Sequence, residues 1–302
     1  MKNLRLLRCN SIATITFLAL SALLTACEKP IITDSDTVTK DANANVVLRF
    51  SPYEQSSFTR AAVADVCTRL SVAIFTTDGT KAKAITQKQT DAGFGTAALT
   101  LQAGQYRVVA IAHSSTEGNA TITSPEKVTF ANNKLTDTFY YYGTLTVGTD
   151  PIEETLEMTR CVAMLRLTLT DPLPDDITRL KFYYTGGSST FSPATGYGCV
   201  NSKQTEYRYT TDDQDMPVSV YELYTMPHEQ QDVLKLTVTA LDASGSEVGE
   251  VVMENIPVTR NKITTWQGAL FSGSGTEGGT SSSGGITITL DTDWDGTITY
   301  TF

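Results

Sequence analysis

Histidine is nearly absent from this sequence: there are 2 in 302 residues, His113 and His228. His113 ends an apolar stretch and His228 sits in a Met-Pro-His-Glu turn. A histidine-based triad or a zinc site needs more ligands than these two supply. We therefore read one packed and one exposed imidazole, expect no enzyme, and assign no catalytic, cofactor-binding or metal residue. Cysteine is scarce as well. With Cys9 and Cys27 near the N-terminus set aside, Cys67, Cys161 and Cys199 remain. Three thiols cannot all pair, so they read as small core residues with one bridge possible. A lone thiol without a nearby base is a poor nucleophile. Basic residues are outnumbered, 23 Lys and Arg against 33 Asp and Glu. That balance argues against nucleic acid and against an anionic bilayer surface as electrostatic partners. Capped amphipathic helices are missing from everything after residue 26.

The N-terminus carries an address. Lys2, Arg5 and Arg8 form a basic region, and Ile12 to Leu24 is almost unbroken in its apolar character. The stretch suits a signal peptide and is too short for the ~20 residues of a spanning helix. Leu24-Thr-Ala-Cys27 follows. Small residues before a cysteine suit a signal peptidase, and the thiol can take a diacylglycerol. The tetrapeptide resembles the lipobox of bacterial lipoproteins. Residues 1–26 are thus expected to leave as a lipoprotein signal peptide, with Cys27 as the lipidation site. Their loss removes three basic and no acidic residues and shifts the net charge of −10 to about −13. Residues 27–44, polar and without periodicity, read as a tether.

Beyond the tether the pattern is β. Period-two alternation runs through Arg69–Phe75, Leu165–Leu169 and Leu234–Ala240. Turn signals recur at Asp78-Gly79, Ala103-Gly104, Asp242-Ala-Ser-Gly245 and Asp295-Gly296. Many short strands at such spacing favour sandwiches or barrels. Leu99–Val109 reads as a hairpin with Ala-Gly at its turn and with Tyr106, Val108 and Ala110 on one face. Gly148-Thr-Asp-Pro151 breaks the chain, which sets the expected domains at 45–150 and 151–271. A long β segment from Ile152 to Thr170 follows, its alternation interrupted by Arg160. Residues 272–285 form a Gly/Ser linker, and 286–302 a last β segment. No internal repeat is legible.

Few constellations suggest chemistry. Asp291, Asp293 and Asp295 before Gly296 match the first half of an EF-hand loop, but Phe302 stands where the closing Glu belongs. A β-turn explains them better. Thr211-Asp-Asp-Gln-Asp215 reads first as an acidic loop. Tyr140, Tyr141, Tyr142, Tyr183 and Tyr184 could stack on sugars, although alternate ones suit a core. Arg60, in Ser56-Ser-Phe-Thr-Arg-Ala-Ala62, lies between an early strand, Val46–Phe50, and the rest of the domain. It is either a protease site whose cleavage releases that strand or an ordinary loop arginine.

Several stretches together resemble the fimbrial anchor and fimbrillin-like lipoproteins of Bacteroidales. They are the lipobox, Phe58-Thr-Arg-Ala61, and Leu-x-Ala-Gly-x-Tyr running into Ala110-Ile-Ala-His113. Tyr184-Thr-Gly-Gly-Ser-Ser189 with Gly196-Tyr-Gly198, and Asn255-Ile-Pro-Val-Thr-Arg-Asn261 before Thr264 and Gly268, complete the set. The resemblance implies an all-β chain of two transthyretin-like Greek-key β-sandwich domains, attached through lipid to the outer membrane and exposed at the surface. It also implies a role in fimbria assembly or adhesion, with other fimbrial subunits and host or bacterial surface ligands as partners. In polymerising members, cleavage after an arginine removes the first strand and a neighbour's C-terminal strand fills the gap. Arg60 matches that arginine by position, whereas anchor-type members keep their lipid and stay uncut. Residues 286–302 are then either a donor strand or a part of their own domain. The rival class is a surface glycan-binding lipoprotein of a polysaccharide-uptake system, which exposed aromatics on a flat face would favour.

Overall fold

Alternation dictates the first strand. In β1 (Val46–Pro52) Val46, Leu48 and Phe50 are buried while the residues between them are half exposed, as a strand with one face on a core requires. The computed structural model describes residues 44–52, 62–210 and 219–271, with the backbone of two short pieces at 287–288 and 300–301. A single helical turn, α1 (Val63–Val66), precedes β2 (Arg69–Thr76), β3 (Lys81–Lys88), β4 (Thr96–Leu99) and β5 (Gly104–His113). Then come β6 (Thr121–Ser124), β7 (Lys127–Thr129), β8 (Thr138–Val147) and β9 (Ile152–Arg160).

Seven of these strands pair in the order β3-β2-β5-β8-β9-β1-β4. β8 and β9 share only Phe139↔Arg160 and Tyr140↔Thr159, so the sheet folds there into two leaves, β3-β2-β5-β8 and β9-β1-β4. Leu70, Val72, Ile74, Val108 and Ala110 from one leaf meet Val46, Leu48, Phe50, Leu156 and Met158 from the other. The result is a sandwich.

The second sandwich is built from β10 (Ala163–Leu169), β11 (Ile177–Thr185), β12 (Thr190–Ser192), β13 (Tyr197–Gly198), β14 (Lys203–Tyr209), β15 (Ser219–Thr225), β16 (Gln231–Asp242), β17 (Glu247–Thr259) and β18 (Ile263–Gly268). Its leaves are β15-β10-β18 and β14-β11-β16-β17. Leu165, Leu167, Phe182, Tyr184, Leu236 and Trp266 fill the space between them. The chain is thus all-β with a β-sandwich architecture. Two short strands, β19 (Thr287–Ile288) and β20 (Tyr300–Thr301), pair with each other.

The two sandwiches repeat one plan that the residues conceal. β1 pairs antiparallel with β4 and parallel with β9. β10 in the same way pairs antiparallel with β15 and parallel with β18. The long β segment starting at Ile152 is where one passes into the other. β9 remains in the first sandwich beside β1, and β10 begins the second. The passage therefore falls at Cys161–Val162, beyond the Gly148–Pro151 break from which the boundary at 150 was drawn. The break is only the connection between β8 and β9.

Arg160 explains its own interruption of the pattern. It is 6% exposed, forks onto Asp137 through Nε (2.7 Å) and a terminal nitrogen (3.0 Å), donates to Asn261 Oδ1 at 3.1 Å, and lies over the Phe139 ring. A buried guanidinium needs this complement of partners. Around it a third apolar cluster joins the sandwiches: Phe75, Ile111, Val128, Phe130, Val162 and Phe191 pack with partly buried Tyr140 and Tyr142. Strands from both halves also form a small sheet, β13-β12-β7-β6. The outer face of β2 and β5 is thereby covered, which accounts for the nearly continuous burial of β2.

The expected turns at Asp78-Gly79 and Asp242–Gly245 close the β2–β3 and β16–β17 hairpins, each with its glycine at positive φ, +85° and +84°. The hairpin expected at Leu99–Val109 is corrected. β4 belongs to one leaf and β5 to the other, so Ala103-Gly104 turns a corner of the sandwich. Tyr106, Val108 and Ala110 do share the core face. Cys67, Cys161 and Cys199 are all free, the first two buried. Burial pushes the thiol pKa of Cys67 and of Cys161 far up, which keeps both unreactive.

Candidate assembly site at the first strand

β1 is the central strand of its leaf and not an edge. On one side it faces β4 from Val46↔Leu99 to Arg49↔Thr96, and on the other β9 from Val46↔Ile152 to Pro52↔Met158. Asn45 fixes its start: the side chain donates to Leu101 O (2.8 Å) and accepts from Leu101 N–H (2.9 Å). Its backbone carbonyl accepts from Ile152 N–H at 2.8 Å. At the far end Phe50 N–H donates to Gly95 O. Arg49, on the outer face, reaches Glu153 of β9 at 2.8 Å.

Three large apolar side chains hold β1 inward. Val46 and Leu48 are fully buried and Phe50 is 5% exposed. At roughly 1.5–3 kcal/mol for each buried side chain of this size, they contribute on the order of 5–9 kcal/mol, comparable with the net stability of a whole domain. The leaf does not recognise β1 by any particular polar group. Within the strand itself the fit rests on an extended backbone with apolar side chains at alternate positions. Asn45 was missed at the sequence level, where it looks like the end of a polar tether.

Cys27 and Arg60 lie outside the described residues, as do Thr211–Asp215 and the acidic turn at Asp291, Asp293 and Asp295. Of the C-terminal segment only β19 and β20 are described, and their hydrogen bonds run to each other. Among the described residues no group of three His, Cys, Asp or Glu could hold a metal.

His113 is packed as expected, and His228 is half-buried, not exposed. His113 is 1% exposed with its ring edge-on to Phe130. Its pKa is lowered to about 4 by burial and by Arg69. His228 is partly buried, with Nδ1 2.8 Å from Asp232 and Nε2 3.2 Å from Val200 O. The tyrosines alternate: Tyr140 stacks edge-on with Phe191 at 4.9 Å in the junction, Tyr141 packs on the first core, and Tyr184 is buried, donating to Glu206 at 2.8 Å. Tyr183 turns to the opposite face of β11. In the Tyr-Thr-Gly-Gly-Ser motif the glycines are structural. A Cβ on Gly186 would strike the Val233 carbonyl, and one on Gly187 the Thr225 hydroxyl, so the chain can approach these backbones only without side chains.

A family model described as a family of unknown function, DUF6562, matches residues 36–302, a span that runs through both sandwiches and includes β1. The chain belongs to that family. No curated protein matches the sequence. Solved structures share the fold. A candidate adhesin from Bacteroides thetaiotaomicron is 17% identical, with a TM-score of 0.53 over 84% of this chain and 97% of the other. A candidate polysaccharide-binding protein from the same species is 13% identical, with a TM-score of 0.55 over 85% and 97%. The fimbrial anchor protein Mfa2 from Porphyromonas gingivalis is 12% identical, with a TM-score of 0.42 over 74% and 89%. The first two likenesses show a shared fold.

Proposed function

We propose that this protein is a lipid-anchored subunit of a bacterial fimbria, of the anchor or accessory type, which takes part in assembly and adhesion at the cell surface. The observation that carries the reading is the position of β1: a strand at the centre of its leaf whose last residue, Pro52, lies eight residues ahead of Arg60. Cleavage after Arg60 would cut the covalent link to β1 and leave it held by packing and hydrogen bonds alone. A strand from another subunit can then compete for the slot. Ile286, Ile288 and Leu290 repeat the alternation of Val46, Leu48 and Phe50, so the segment after the Gly/Ser linker has the pattern a donor needs. The name of the Bacteroides thetaiotaomicron adhesin agrees with this reading, and the sequence before Cys27 supplies the membrane address.

Mass spectrometry of the protein from its native outer membrane tests the proposal. A lipidated Cys27 at the N-terminus supports the anchored form, whereas a mature protein that begins at Ala61 has lost Cys27 and its lipid and would replace the lipid-anchored reading with a polymerising subunit. A soluble periplasmic protein with neither would overturn it.

A further inference from the structure

A polar cleft of about 420 Å³ opens along β14, the edge strand of the second sandwich. Its other wall is the loop segment of Glu117 and Asn132–Lys134 from the first half of the chain. Because β14 has no partner beyond it among the described residues, both of its faces reach the cleft: Lys203, Thr205 and Tyr207 from the outer face, Gln204, Glu206 and Arg208 from the inner. None of the lining residues belongs to β1.

The wall is pre-organised. Asn132 donates to Glu117 at 2.9 Å and Lys134 reaches the same carboxylate at 3.1 Å. These contacts, Asn132 first, hold the Glu117 carboxyl below its ordinary range. Asn132 and Asn133 both adopt positive φ, +54° and +55°. Gln204 is buried and braces the wall by donating to Asn133 O. On the facing strand Arg208 is paired with Glu206 at 2.7 Å. The cleft is lined by planar amide, carboxylate and guanidinium groups that donate and accept in fixed directions, with a single aromatic among them.

That aromatic belongs to a larger surface. The register Tyr183↔Thr205, Lys181↔Tyr207 and Arg179↔Tyr209 puts Tyr183, Tyr207 and Tyr209 on the solvent face of the sheet. Tyr207 is 46% exposed and Tyr209 is 66% exposed. Neighbours at these register positions stand ~7 Å apart. Arg179 lies over the Tyr207 ring, 5.6 Å from its centroid, and steadies it.

We infer that this cleft, with Tyr207 at its rim, binds an oligosaccharide. A sugar presents an apolar C–H face that packs on an aromatic ring, and hydroxyls that both donate and accept. A half-exposed tyrosine beside fixed amides and carboxylates matches both surfaces. The cleft lies within the size range of small-ligand sites, but it lacks the apolar lining that most such ligands require. The site goes beyond the proposed role in assembly, and the two can fail separately because the cleft and the β1 slot share no residue.

The test is a glycan microarray probed with the full mature chain in detergent, followed by calorimetry with the strongest oligosaccharide found. The expected result is a discrete set of bound glycans. Affinity falls about tenfold or more in Tyr207→Ala and in Asn132→Gly, the latter keeping the positive φ. Tyr207→Phe, which retains the ring, keeps most of the binding, and melting temperatures stay within a degree or so of the parent. Three results would overturn the inference: no signal across a structurally diverse array, variants that bind like the parent, or capture of an extended peptide on the β14 edge in place of a sugar. Recovery of partner pilins from the same variants reports on assembly independently.

Discussion

Acid should weaken this protein through one buried imidazole. Both ring nitrogens of His113 are buried and lack a hydrogen-bond partner among the described residues, and Arg69 nearby adds a like charge to any proton taken up. The folded pKa is about 4 against about 6.5 in the unfolded chain. A depressed folded pKa contributes stability that is present above the unfolded value and is lost as the pH falls toward the folded one. Linkage over these two values gives a loss of about 2 kcal/mol between pH 7 and pH 5, approaching about 3 kcal/mol near pH 4. The variant His113→Leu removes the titration and the unsatisfied nitrogens together. It should be as stable as the parent at pH 7, or more so by roughly 1 kcal/mol. Its advantage should widen by about 2 kcal/mol at pH 5. Every other ionisable group is common to the two proteins, so the difference isolates His113. Urea unfolding followed by tryptophan fluorescence at pH 7, 6 and 5 measures it. Parallel stability curves for the two proteins would refute the argument, because they would mean that the folded and unfolded states bind a proton at this position equally well.

Three further outcomes are expected. Cys27→Ala should leave the protein unlipidated and detached from the outer membrane, since each buried CH₂ of an acyl chain adds about 0.8 kcal/mol; a variant that still fractionates with membranes in detergent-free buffer would show that something else holds it. Deleting residues 286–302 should leave the melting temperature unchanged yet abolish stable complexes with other pilins, whereas a large drop in melting temperature would make the segment an integral strand of its own domain. Arg160→Met should cost roughly 3 kcal/mol or more, because Asp137 is left largely buried without its partner. Most of that loss should return in the double variant with Asp137→Leu, and a double variant no more stable than the single would argue that Arg160 acts by packing on Phe139.

The sequence by itself determined which residues face inward. The period-two patterns of β10 and β16, and the glycines of the Asp78-Gly79 and Asp242–Gly245 turns, are local properties: side-chain direction follows from the pleat, and positive φ from the missing Cβ. The scarcity of histidine was likewise visible without a fold. Partnership was not. Nothing in Leu99–Val109 says that β4 and β5 belong to different leaves, because a corner and a hairpin turn draw on the same residues. The Gly148–Pro151 break looked like a boundary, yet the parallel pairing of β1 with β9 carries the first sandwich past it, a pairing between segments about a hundred residues apart. Arg160 read as an interruption until Asp137, Asn261 and Phe139 came together around it. The cleft along β14 joins Asn132 to Tyr207 in the same way, and the duplicated plan of the two sandwiches survives in strand order alone. Those features are long-range contacts, and a chain encodes them only through the joint requirement that every buried apolar face and every buried polar group find a partner.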